Sequence, residues 1–81
     1  MTAFNLLITV NGITRYSGEC TSLTVPLADG LYGVQANHSP FIAAVSAGRI
    51  KYTAGGIDNH FETTGAFMRF ENNSAVILAK E

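Results

Sequence analysis

The sequence predicts an all-β domain, a sandwich or a barrel. Three observations carry the prediction. Glycines fall at 12, 18, 30, 33, 48, 55, 56 and 65 and prolines at 26 and 40, so breakers punctuate the chain throughout. The runs between them are short and rich in Val, Ile, Leu, Thr, Phe and Tyr. No ten-residue stretch carries a helical stripe of apolar side chains.

The elements follow in order. Phe4, Leu6, Ile8 and Val10 alternate with Asn5, Leu7 and Thr9, the pattern of a strand with one face inward. Asn11-Gly12 then supplies two residues that accept positive φ, as a tight hairpin requires. Residues 13–16 return as a short strand that Ser17-Gly18 breaks. Residues 20–27 form the next strand, with Leu23, Val25 and Leu27 on one face. Pro26 removes a backbone donor there, which places that part of the strand at an edge or a bulge. Ala28-Asp29-Gly30 is a turn, and 31–34 a short strand. Residues 41–47 have two readings. Ser39 and Pro40 suit the cap and first position of a helix, but Gly48 leaves only about two turns, a marginal length. A buried strand is the better reading. Residues 50–53 and 57–64 pair across Ala54-Gly55-Gly56. Residues 66–71 and 75–79 pair across Asn72-Asn73, because asparagine tolerates positive φ better than other non-glycine residues. The total is eight or nine strands, with Phe4, Phe41, Phe61 and Phe67 in core-type patterns.

Eighty-one residues make one small domain. Five Lys+Arg against six Asp+Glu leave a net charge of −1, which excludes a basic nucleic-acid binder. Charged residues are 14% of the chain, where about 25% is usual. Hydrophobic residues at 47% exclude a disordered tail. A single cysteine, Cys20, cannot form an internal disulfide. The first apolar run has no basic residue before it and is too short for a signal peptide or a membrane span. Asn37-His38-Ser39 and Asn72-Asn73-Ser74 match the glycosylation sequon by chance. More apolar residues remain than a core this small needs.

Few residues offer chemistry. His38, His60 and Cys20 are too few and too scattered for a structural zinc set, so no metal is expected. Cys20 opens a strand and reads as a small buried hydrophobe. No serine stands in a Gly-x-Ser-x-Gly elbow, and no glycine pair leads into the Gly-Lys-Ser/Thr of a phosphate loop. Glu19, Asp29, Asp58, Glu62, Glu71 and Glu81 read as solvated surface. No catalytic residue and no cofactor site is expected. The chain reads as a binding or structural module.

Tyr16-Ser17-Gly18 is followed by Leu23 to Val34 with Asp29-Gly30-Leu31-Tyr32-Gly33. Then come Asn37-His38-Ser39-Pro40, Ala47-Gly48-Arg49-Ile50, Thr64-Gly65-Ala66-Phe67 and the closing Ala75-Val76-Ile77-Leu78-Ala79. In this order and spacing the set resembles the N-terminal domain of the ε subunit of F-type ATP synthases, called δ in mitochondria. The resemblance implies a ten-stranded β-sandwich of two five-stranded, mostly antiparallel sheets, one domain over 1–81. It implies a place at the foot of the central stalk, where the domain couples the γ subunit to the membrane c-subunit ring during ion-driven ATP synthesis. It also implies a hetero-oligomeric complex, peripheral on the cytoplasmic face of the bacterial membrane or the equivalent organelle face, without insertion into the bilayer. By the same resemblance Asp29, Gly30, Leu31 and Tyr32 face the c-ring, and His38, Ala43 and Val10 face γ. Leu31 stands where the family often has an acid, so an apolar contact is expected there. Thr64 replaces a glycine, so positive φ is not expected at 64. The sequence stops at residue 81, where the family usually continues into a helical hairpin. A natural short form, with coupling and assembly roles and without the hairpin's regulatory ones, is the leading expectation; a longer protein that carries the hairpin is the alternative.

The competing expectation is an unrelated sandwich that binds a peptide or a sugar, the latter on a concave aromatic strip. A small enzyme using His38 or His60 is weaker still. Under the leading expectation the apolar surplus forms an exposed patch larger than monomers usually carry, and the patch marks the γ-facing side.

Overall fold

A computed structural model of the chain describes residues 2–80. Nine strands follow one another: β1 (Phe4–Val10), β2 (Ile13–Cys20), β3 (Ser22–Leu27), β4 (Gly30–Val34), β5 (Phe41–Val45), β6 (Gly48–Ala54), β7 (Ile57–Thr63), β8 (Ala66–Glu71) and β9 (Ser74–Ala79). They build a five-stranded sheet, β2-β1-β9-β8-β5, and a four-stranded sheet, β4-β3-β6-β7. The all-β sandwich stands, but the expected ten strands in two sheets of five are nine, in five and four. Between strands only the link 35–40 is longer than two residues. Asn37 at φ 64 and Pro40, which has no N–H, keep that link out of both ladders.

The ambiguous run is strand β5. Three hairpins turn on two residues that are both left-handed: Asn11 and Gly12 (φ 51 and 80), Gly55 and Gly56 (60 and 77), Asn72 and Asn73 (51 and 56). That geometry matches the right-handed twist of the flanking strands. At the corner between β7 and β8, Gly65 takes φ 145 and Thr64 does not turn left-handed. In β2 the register slips between Ile8 and Thr9, leaving Arg15 as the extra residue of a bulge. The β3–β6 ladder runs from Ser22 to Thr24, so Pro26 lies beyond it, paired with Leu31 of β4 alone. The Pro26 carbonyl instead accepts the N–H of Ser46 (2.8 Å), a bond that ties the two sheets together.

The core is the pair of facing sheet surfaces. Phe4, Leu6, Ile8 and Val10 of β1, Met68 and Phe70 of β8, and Ala75, Ile77 and Ala79 of β9 meet Leu23, Val25, Val34 and Ile50 from the other sheet. Cys20 lies among them, its thiol 3.2 Å from the carbonyl of Ser22. Burial pushes that thiol up from its ordinary value, against a smaller lowering by the Ser22 bond. Folding therefore favours the protonated thiol. Its contribution to stability is whole below about pH 8.5, the range of a free thiol, and is lost as pH rises toward the folded value. Ellman's reagent should leave Cys20 unmodified in the native protein and titrate one thiol in denaturant; rapid native labelling would contradict the burial.

Candidate functional site

Ladder register sorts the outward side chains of the five-stranded sheet into three rows. One end row is polar: Glu19, Asn5, Ser74, Glu71. The middle row reads Ser17, Leu7, Val76, Arg69, Ile42, and the next Thr14, Thr9, Leu78, Phe67, Ala44. Ile42 is 77% exposed, Phe67 67% and Leu78 54%. Thr9, Phe67, Leu78 and Ala79 also line a shallow apolar depression of about 620 Å³. Within the middle and next rows Arg69 is the single charge. The outer surface of the four-stranded sheet is the reverse, carrying Thr24 beside Lys51 and His60, Ser22 beside Thr53 and Asp58, and Arg49 beside Glu62. Arg49 Nε donates to Glu62 Oε1 at 2.9 Å, and Thr53 donates to Asp58 at 2.8 Å. Two of the three outward rows of one sheet are thus mostly apolar, with Arg69 as their one charge, whereas the other outer face is polar and carries the Arg49–Glu62 and Thr53–Asp58 bonds.

The sandwich also has two unlike flanks. Arg15 of β2 lines one depression with His60 and Glu62 of β7, so one flank is charged. The opposite flank holds β4 and β5, neither of which carries an Asp, Glu, Lys, Arg or His. Leu31 stands out here at 72% exposure, after the exposed turn at Asp29 and Gly30. The Tyr32 hydroxyl and His38 Nε2 share a hydrogen bond (2.8 Å), and His38 Nδ1–H donates to the Ser39 carbonyl (2.7 Å). The Ser39 carbonyl can only accept, so the second contact puts a proton on Nδ1. The imidazole lies 4.9 Å from the Phe41 ring, which stacks on Phe70 at 6.2 Å and 10°. Phe70 in turn meets Phe4 edge-on at 5.7 Å. An aromatic chain therefore anchors the exposed turn in the core.

Of the residues expected at the site, Asp29, Gly30, Leu31 and Tyr32 form one exposed stretch, and His38 is bonded directly to Tyr32. The two groups assigned by resemblance to different partners are thus in contact. Val10 and Ala43 lie elsewhere. Val10 is 3% exposed and belongs to the inner row Val10, Ala79, Ala66, Val45. Ala43 is in the inner row with Met68 and Ile77. Both side chains point into the sandwich, because alternate residues of a strand point to opposite faces. The outward neighbours on those strands are Thr9, Ile42 and Ala44.

Phe67 is a correction as well: placed in a core-type pattern by sequence, it is exposed. The signal was present. Arg69 and Glu71 alternate with Met68 and Phe70, so period two puts Phe67 on the face of the charges. Phe67 is also the single aromatic among these outward side chains, so the described residues of this sheet form no aromatic strip of the kind a sugar requires. The described residues hold no group of three His, Cys, Asp or Glu placed to share a metal.

Comparison with known proteins agrees with this architecture. The family model described as ATP synthase, Delta/Epsilon chain, beta-sandwich domain matches residues 3–81. The ATP synthase epsilon chain of Chlorobium limicola is 30% identical over 80 residues, covering 98% of this chain and 91% of that relative. The ATP synthase epsilon chain of Anaeromyxobacter sp. (strain K) is 33% identical over 63 residues, covering 78% of this chain and 48% of the relative. Against the Anaeromyxobacter relatives the chain spans about half their length. A chain in the cryo-EM structure of the Euglena gracilis mitochondrial ATP synthase superposes with a TM-score of 0.89 at 17% identity, over 98% of this chain and 51% of that one. At that identity the likeness is one of fold.

Proposed function

The chain belongs to the ATP synthase delta/epsilon beta-sandwich family, and we propose that it serves in the rotor's central stalk, coupling the γ subunit to the c-subunit ring. The observation that carries the reading is the contrast between the two outer faces. A free-standing sandwich gains nothing from an open patch of Ile42, Phe67, Leu78 and Val76 across two adjacent rows. A subunit held permanently against a partner gains the burial of that patch, at about 25 cal/mol per Å², and obligate interfaces are apolar in this way. We assign γ to this face.

The turn at Asp29 to Tyr32 is assigned to the ring. It protrudes from the opposite sheet, ends in an exposed leucine, and is braced by the Tyr32–His38 bond and the aromatic chain behind it. Transmission of torque needs a stiff body between two contacts. The core supplies that body, and the reading asks no catalytic group of the chain. The protein then sits peripherally at an energy-transducing membrane, on the side of the catalytic head.

Two measurements test the reading. Mixed with the γ subunit encoded by the same genome, the chain should co-elute as a complex at micromolar concentration; separate elution would count against it. Leu31→Arg places a charge on a side chain that is 72% exposed. It should leave thermal stability within about 0.5 kcal/mol of wild type while lowering ion-driven ATP synthesis in reconstituted vesicles severalfold. Synthesis at the wild-type rate would remove Leu31 from the ring contact.

A further inference from the structure

We propose that Arg69 fixes which surface can cover the apolar face: the covering partner carries a carboxylate opposite Arg69, and the docked pair closes as an ion pair inside an apolar interface. The inference rests on the reading that this face is the γ-facing one. It goes beyond that reading by specifying the chemistry that the partner must present.

Arg69 occupies the middle row, with Val76 of β9 on one side and Ile42 of β5 on the other. Phe67 stands two residues before it on the same face of β8. Among the described residues its guanidinium has no ion pair, whereas Arg49 on the other sheet is held by Glu62 at 2.9 Å. Glu71 shares the outward face of β8 but lies in the polar end row and does not bind Arg69. The charge is therefore uncommitted and flanked by apolar side chains.

A partner that seals Ile42, Phe67, Val76 and Leu78 from water also seals Arg69. Arginine stays charged at every accessible pH and carries five donors with no acceptor. Covered by hydrocarbon alone, it would forfeit its hydration with nothing in return. A carboxylate matches its planar fork with two parallel bonds. The same residue then discriminates between partners: a surface of equal apolarity without the acid is rejected, because it leaves the guanidinium buried and unpaired. In the free chain the exposed charge also interrupts an otherwise continuous apolar surface.

The test uses the full chain and the γ subunit of the same genome, with binding measured by calorimetry. Arg69→Met keeps the apolar stem and removes the charge. It should weaken binding by about 30-fold or more, the usual cost of leaving one member of a buried pair alone. Arg69→Lys retains the charge and should lose less. With a carbodiimide coupling reagent, the amine at position 69 of that variant should form an amide with a single Asp or Glu of γ, identified by mass spectrometry. Arg69→Met binding as tightly as wild type, or tighter, would overturn the proposal. So would a tight Arg69→Lys complex that yields no crosslink from position 69. Either result would leave γ on the apolar face provided that Phe67→Asp still abolishes binding. If wild type fails to bind γ, the docking reading falls and the proposal with it.

Discussion

Phe67→Asp should abolish docking and spare the fold. In the free chain the Phe67 ring is two-thirds exposed, in the row with Leu78 and Ala44. Removing it from water-exposed β8 costs little internal packing, so the urea midpoint should shift by the equivalent of under about 1 kcal/mol. Its partner pays far more. A large aromatic at the centre of an apolar interface is the type of residue whose loss costs 2 kcal/mol or more. The aspartate adds a charge to be buried next to Leu78. Affinity for γ should drop by about 100-fold or more. Unchanged affinity would move the docking surface off the five-stranded sheet.

Phe70→Ala should have the opposite signature. It lies three residues further along the same strand, on the other face, fully buried against Phe4, Phe41 and His38. Truncating a buried phenylalanine costs about 3–5 kcal/mol through lost burial and the cavity left behind. A domain of this size holds about 4–12 kcal/mol in all, so from about a quarter to all of the stability goes. Chemical denaturation should show a large fall in midpoint, and a variant within 1 kcal/mol of wild type would mean that the aromatic chain is not under packing load. Because Phe41 and His38 lean on the same ring, the Tyr32 turn should loosen too.

These two residues also mark how far the sequence could be read. Local rules placed the strands and turns well. Asn11-Gly12, Gly55-Gly56 and Asn72-Asn73 each specify a two-residue turn by their tolerance of positive φ, whatever else the chain does. The alternation of Phe4, Leu6, Ile8 and Val10 correctly put all four inside. The same alternation, applied strictly to Phe67-Met68-Arg69-Phe70-Glu71, points Phe67 outward, where the structure places it, and not into the core. Val10 and Ala43 went astray for a related reason. A resemblance carries position along the chain, whereas the facing of a side chain depends on strand register, which the pairing with β9 and β8 determines. The eight or nine strands expected from the residues include the nine observed; the count of ten came from the resemblance alone. That Tyr32 and His38 bond to each other follows from β4 and its outgoing loop folding back over Phe41, which no spacing rule contains.

The parallel pairing of β1 with β9 has a consequence for how the chain is made. These strands are the first and the last of the nine, and they lie side by side in the middle of their sheet, with Asn5 matched to Ser74 and Val10 to Ala79. β2 reaches that sheet only through β1, and β5 and β8 only through β9. During synthesis the five-stranded sheet therefore cannot close until residue 79 has left the ribosome. Until then the apolar β1 waits without its parallel neighbour, available to chaperones or to other nascent chains. The closing step joins segments some 70 residues apart, and contacts of such long range are the ones that slow folding.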